Sequence, residues 1–477
     1  MRSAALVLLA SLAASQSPGP PPVSLFLEAA SSDPAISTRA LDIIGASWRD
    51  AYTALIVDAA RFLPRDPSAS DGVERLETDA EGAIGGRTQR PVSTPASRAR
   101  LRLIRFLQAR TGQRFGDDLG RWREWMWRLP YEPHPEYAAY KREIYGRIDP
   151  RMRNFFPPGV RSDIRLDEID WGGVTVNGIP PLVAPRVVPA SGAGYLKDSH
   201  IVFGIVINGE ARAYPRRILA WHEMARDRVG GVDLAVVYCT LCGTVIPYES
   251  RVAGRSFTFG TSGLLYRSNK LMFDEETGTL WATLTGRPAV GPLVGSGLSL
   301  VAHPVVTTTW GEWRRDHPGT TVLSLETGHD RDYGEGVAYR DYFATDRLMF
   351  RVPRTDRRLR NKDEVLGILV PATGGGRQAA ALAVSFLDRN RLFQFDVEGR
   401  RFVAFTSAGG ANRVYEAGDR RFRASRPGGG LTDQDGAAWT RTDDALVSGA
   451  ARLARVPAWR AFWFGWYAQF PETLLFK

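Results

Sequence analysis

Cys239 and Cys242 are the only cysteines in a chain of 477 residues, three positions apart in LAVVYCTLCGTVIPY, Leu234 to Tyr248. Two sulfurs at that spacing bind one metal, form a disulfide or cycle between the two states. A β-branched and aromatic run leads in, another leads out, and Gly243 follows the second sulfur, which predicts strand, tight turn and strand with the pair at the tip. In thioredoxin-type proteins this spacing opens a helix, whereas Thr244, Val245, Ile246 and Pro247 are poor helix formers.

His222, in AYPRRILAWHEMARD, is the nearest histidine before the sulfurs, on a short helix opened by Pro215. With Cys239 and Cys242 it makes an N-S-S set suited to Zn or Cu, and Met272 offers a soft fourth ligand for copper. His222 beside Trp221 reads equally as a satisfied core residue, and Met272 in a strand as core. HEMAR lacks the second histidine of a zincin helix, and His200 and His303 are weaker candidates. Glu223, Tyr238, Ser262, Tyr266, Asn269 and Asp274 are the residues expected to support such a site or to wall a substrate. Ser262 is not in a G-x-S-x-G elbow, and Asp274 to Gly278 reads most simply as a turn. The run Gly291 to Gly297 lacks the strand and helix of a nucleotide loop.

The elements that position these residues follow from the rest of the chain. Met1 and Arg2 precede an apolar stretch, Ala4 to Ala14, with Ser15 and Ser17 around Gln16, the layout of a secretory signal over residues 1–15. A periplasmic or extracellular protein is therefore expected, with a Pro-rich segment at 16–23 and no later run apolar enough to span a bilayer. The net charge of +10 comes from arginine, since lysine occurs only at positions 141, 197, 270, 362 and 477. Those arginines are scattered, so no nucleic-acid partner is expected; an envelope protein or a small molecule is.

Residues 24–165 predict an all-helical domain. Leu41, Ile44, Trp48, Tyr52, Leu55, Ile56 and Ala59 recur at helical spacing over Thr38 to Phe62, a loop is expected around Pro91 to Pro95, and Ala99 to Ala109 is helical again. Trp122, Trp125 and Trp127 read as packing residues rather than a ligand box. From Asp167 the pattern turns β-like, giving an α+β chain.

The β part carries an internal repeat. Lys197-Asp198, Gly204-Ile205, Trp281 and the closing set Trp310, Trp313, Pro318, Thr320 correspond to Lys362-Asp363, Gly367-Ile368, Trp439 and Trp463, Trp466, Pro471, Thr473. Two mostly β modules are expected, 166–350 with the His/Cys site and 351–477, a degenerate copy, packed about a pseudo-twofold axis. Ser407 and Gly410 stand in the second where Cys239 and Cys242 stand in the first, so the module folds without sulfurs and shared tryptophans are core.

GEARAYP, WHE, YCTLCGT, SGLLY-x-SN-x-LMFD, TG-x-LW and WFGW with P-x-T together resemble a bacterial and archaeal family known chiefly as a domain of unknown function, over roughly Arg165 to Lys477. Thr240 stands where that family usually has Pro, and Arg267 where it usually has Asn. The resemblance implies a shared module and brings no reaction with it.

The expected function is an exported Zn- or Cu-binding protein with a catalytic or carrier site. The alternatives are a thiol-disulfide protein, or an envelope binding module with an inert disulfide.

Overall fold

The computed structural model describes residues 19–64, 93–424 and 431–477. The expected signal segment, 1–15, lies outside the described residues, as does 16–18 of the Pro-rich stretch. The chain is mixed α and β, with a helical region over residues 23–146 and a mostly β part after it.

The helical region contains Val23–Ala29, Pro34–Ala46, Thr53–Arg61, Pro95–Thr111, Leu119–Met126 and Tyr137–Gly146. The apolar periodicity over Thr38 to Phe62 does not form one helix. Ser47 ends the first helix, Arg49 is extended, and a 3-10 turn over Asp50–Tyr52 restarts the chain, with the Trp48 indole donating to Asp50 at 3.1 Å. Periodicity survives such a break because both pieces face one core; Leu41, Ile44, Leu55 and Ile56 are all buried. Of the loop expected around Pro91 to Pro95, the last two residues begin a helix instead. Thr94 and Ser97 cap reciprocally, Pro95 occupies the first helical position, and Gly112 closes the helix at φ +71°. Trp122 and Trp127 are buried, with the Trp122 indole donating to Gly116 O at 2.9 Å.

The described residues fall into two compact units, one of 19–64, 93–122 and 132–140, the other of 123–131 and 141–477 less 425–430. The second unit holds the sulfurs. One of its sheets orders its strands Val306–Thr309, Ile201–Ile207, Glu210–Pro215, Thr321–Leu323 and Val187–Pro189, antiparallel except for the parallel pair of Glu210–Pro215 with Thr321–Leu323. Another runs Trp459–Phe462, Glu364–Pro371, Arg377–Ala383 and Leu474–Phe476, with its third pair again the parallel one.

In each of these sheets a short helix lays a tryptophan over a glycine. A Cβ on Gly204 would sit 2.2 Å from the Trp313 ring, and one on Gly367 2.2 Å from Trp466, so no side chain is tolerated at either place. Each indole then donates to a threonine, Trp313 to Thr320 at 2.9 Å and Trp466 to Thr473 at 3.0 Å. Trp281 and Trp439 are likewise buried, and each donates to a buried aspartate, Asp274 at 2.8 Å and Asp433 at 2.9 Å.

The cysteine hairpin, Val232–Cys239 with Thr244–Glu249, pairs on its outer side with Met224–Val229. Its apolar residues Val236, Val237 and Ile246 share one core with Trp281, Trp463 and Trp466. The strands Phe259–Tyr266 and Asn269–Asp274 form the next hairpin, turned by Arg267 at φ +50° and Ser268 at φ +62°. Two successive left-handed residues are the geometry of a type I′ turn, which favours Asn, and here Arg267 adopts it while bonding Glu168 at 2.6 Å.

Candidate functional site

The turn from Cys239 to Cys242 is closed by its own backbone, Cys242 N donating to Cys239 O at 3.2 Å and Gly243 N to Thr240 O at 3.3 Å. Gly243 is left-handed, φ +64°, and a Cβ there would lie 3.1 Å from the Phe462 ring, so glycine is required twice over. The two sulfurs are joined as a disulfide, Cα to Cα 5.4 Å. Cys239 is 3% exposed and Cys242 not at all.

Leu241, Leu265 and Tyr342 pack on the disulfide, with Tyr339, Phe350 and Phe462 at the edge. Phe462 N donates to Cys242 O at 2.7 Å, and Tyr342 Oη to Leu241 O at 2.7 Å. Cys242 Sγ lies 3.2 Å from Ser268 O, and the Lys362 ammonium stands 3.4 Å from the Tyr342 ring centroid. Two buried atoms here have no hydrogen-bond partner, Thr240 Oγ1 and Asn269 Oδ1. The other end of Asn269 is held, its Nδ2 donating to Arg267 O and Gly465 O, both at 3.1 Å.

A buried ion pair stands on the neighbouring strands. Glu223 follows the helix Arg216–His222 in a left-handed conformation, φ +54°, which ends the helix and sends the carboxylate to Lys270 at 2.5 Å and to Tyr339 Oη at 3.1 Å. Its carbonyl accepts from Tyr238 N at 2.8 Å and Lys270 Nζ at 3.3 Å. Burial pushes the Lys270 ammonium below its usual range while Glu223 opposes the shift. Burial, then the Glu223 charge, pushes the Tyr339 phenol well up. Tyr238, against Phe203, is pushed up by burial alone in the main.

His222 is turned elsewhere. Nδ1 is 2.9 Å from Pro180 O and Nε2 is 2.5 Å from Tyr333 Oη. A carbonyl only accepts, so Nδ1 carries the proton and Nε2 accepts from the phenol. Burial lowers the pKa of this imidazole, which keeps that neutral tautomer. Met272 is fully buried in the core beside Trp281. Ser262 Oγ donates to Leu271 O and accepts Leu264 N at 3.0 Å, bridging the irregularity in its strand between Thr261 and Leu264. Asp274 binds Thr277 N at 2.6 Å and the Trp281 indole, and so holds a turn. Tyr266 lies under the Arg267 guanidinium, 5.0 Å from it.

The structure thus brings Cys239, Cys242 and Asn269 together, with Tyr238 on the strand that ends at Cys239 and Glu223 at the end of the helix Arg216–His222. It does not bring His222 or Met272 to the sulfurs. Among the described residues no group of three His, Cys, Asp or Glu side chains is arranged to hold a metal. The sulfurs are joined, and both His222 nitrogens are engaged by Pro180 O and Tyr333 Oη. Lys270, Tyr339 and Tyr342 belong to the site and were missed in the sequence. The available signal was Lys270 itself, one of five lysines, set in the strand NKLMFD, of which every residue is buried.

Residues 176–473 match the family described as protein of unknown function DUF3179. The match takes in well over half of the chain, which belongs to that family. No curated protein and no solved structure matches it. Among the described residues no helix is long and apolar enough to cross a membrane.

Proposed function

We propose that the chain is an exported thiol-disulfide protein whose redox centre is Cys239–Cys242, built on the first of two copies of one β module, 166–350 and 351–477. The observation that carries this is the turn at 407–410, where Gly410 N donates to Ser407 O at 3.1 Å just as Cys242 N does to Cys239 O. The same turn closes with no cross-link, so the sulfurs are not there to shape the backbone. Nor does a bridge over so short a loop contribute much stability, about 2 kcal/mol by the loop-entropy relation. Support for the repeat is the shared strand order of the two sheets and the paired Trp-Gly-Thr contacts.

The chemistry is two-electron exchange with a dithiol partner. A partner thiolate attacks Sγ of Cys239, the one residue of the pair with any exposure, the S–S bond breaks, and Cys242 leaves as thiolate and takes a proton. The partner's second thiolate then attacks its own sulfur in the mixed disulfide and releases Cys239, leaving the partner oxidised and the pair reduced. Ser268 O, 3.2 Å from Cys242 Sγ, accepts from the new thiol and holds Cys242 neutral, which makes Cys239 the nucleophile of the return reaction.

Purified without chelator, the protein is expected to show no free thiols, two after a mild dithiol reductant while still folded, and none again on reoxidation. A pair that resists reduction until the protein unfolds contradicts cycling. One equivalent of Zn or Cu that is lost in Cys239→Ser/Cys242→Ser returns the site to metal binding.

A further inference from the structure

A second site lies where the strands Asn412–Glu416 and Ala451–Val456 pair, in a sheet of eight strands. Tyr415 on Asn412–Glu416 pairs directly with Arg455 on Ala451–Val456, and Arg413 lies two residues from Tyr415, hence on the same face. The His317 ring, just after the helix Trp310–Asp316, lies 4.0 Å from the Trp313 ring and tilted 41° to it.

Three buried nitrogens of this group have no hydrogen-bond partner, Arg413 Nη1, Arg455 Nε and His317 Nε2. Arg413 is only 5% exposed. Arg455 reaches two carbonyls, Asp443 O at 2.9 Å and Val305 O at 3.3 Å, and no carboxylate. The charged groups acting on this cluster are Arg413, Arg441, Asp443 and, beside His317, Asp316, three guanidiniums to two carboxylates when Arg455 is included. Asp443 Oδ1 stands 3.6 Å from His317 Nε2. Burial first, then Arg413, pushes Arg455 down to about 10, and burial lowers His317.

A buried guanidinium without an acceptor is costly, on the order of several kcal/mol. Water would satisfy the donors but leave the excess positive charge; an oxyanion satisfies both. We propose that Arg413, Arg455 and His317 form a binding site for a phosphate-class oxyanion, free or as a phosphate monoester. Guanidinium forks match the paired oxygens of such a group, and the His317 ring adds a third donor.

The test is titration of the full chain with inorganic phosphate at constant ionic strength, read by calorimetry and by thermal midpoint. One saturable site per chain is expected, with a midpoint that climbs with phosphate and not with chloride. Arg413→Gln should weaken binding about tenfold or more, the loss of one charged hydrogen bond, and Arg455→Lys, which keeps the charge but removes Nε, should weaken it too. Arg452→Gln, an exposed arginine on the strand of Arg455, should bind as the parent does. Glycerol phosphate competing for the site identifies an ester site, and failure to compete a free-ion site. No saturable binding, or undiminished binding in both Arg413→Gln and Arg455→Lys, overturns the proposal.

Discussion

The turns at 239–242 and 407–410 share one backbone bond, from the fourth residue's N–H to the first residue's carbonyl, and have opposite surroundings. The first lies against the helix Trp463–Gln469, where a Cβ on Gly465 would be 3.3 Å from Cys242 Cβ. The second lies against the helix Trp310–Asp316, where Glu312 fills the space beside Gly409 so completely that a Cβ there would fall 1.9 Å from its carboxylate. Bulk on the turn faces glycine on the helix, and bulk on the helix faces glycine on the turn. Ser407 also occupies its own hydroxyl, which accepts Ala411 N at 2.9 Å, whereas Thr240 and Asn269 beside the sulfurs leave oxygens unpartnered. A scaffold residue satisfies its neighbours; the first turn carries groups its own fold does not use.

The comparison can be pressed hardest at the tryptophans. If the two sheets are one design, Trp313→Ala and Trp466→Ala should each cost about 3–5 kcal/mol in denaturant unfolding. One large loss beside one negligible loss would break the equivalence. At the turns, Cys239→Ser/Cys242→Ser should cost no more than about 2 kcal/mol and leave the fold intact, as circular dichroism and chemical denaturation will report. Loss of folding would mean that the first turn needs a cross-link that the second does without.

The smallest effect concerns His222, for which the second half has no counterpart, since no histidine follows His329. Its folded pKa lies below the ordinary value of about 6.5. The unfolded chain therefore binds the proton first, and stability present at neutral pH is lost as pH falls through about 6.5, by no more than about 1.4 kcal/mol per pH unit for one proton. His134, His200 and His317 are lowered by burial too and contribute with the same sign. His222→Asn should flatten only its own share of the slope, measured by unfolding between neutral and mildly acid pH.

How much of this the sequence disclosed follows from the range of the interactions. The cysteine hairpin, the helix entered at Pro215 and the buried tryptophans are written in local periodicity and turn residues, and they stand as expected. The ion pair of Glu223 with Lys270 joins residues 47 apart, and its bond to Tyr339 spans 116. No local pattern records such pairings. His222 drew attention as a ligand because it precedes the sulfurs in sequence, but the left-handed Glu223 after it and the carbonyl of Pro180 set its direction. Asp274 and Ser262 looked available for chemistry because their types are; their partners, Trp281 and the backbone around Leu264, occupy them.

The clasp between Asn269 and Gly465 has a consequence in time. Gly465 is made 196 residues after Asn269, so at about 5–20 residues per second roughly 10–40 s separate them on the ribosome. For that interval the hairpin tip lacks the cover that Phe462 and Gly465 supply. Whichever oxidant the nascent chain meets in that interval acts on a partly covered pair, and the strand Trp459–Phe462 and the helix Trp463–Gln469 then close over the result.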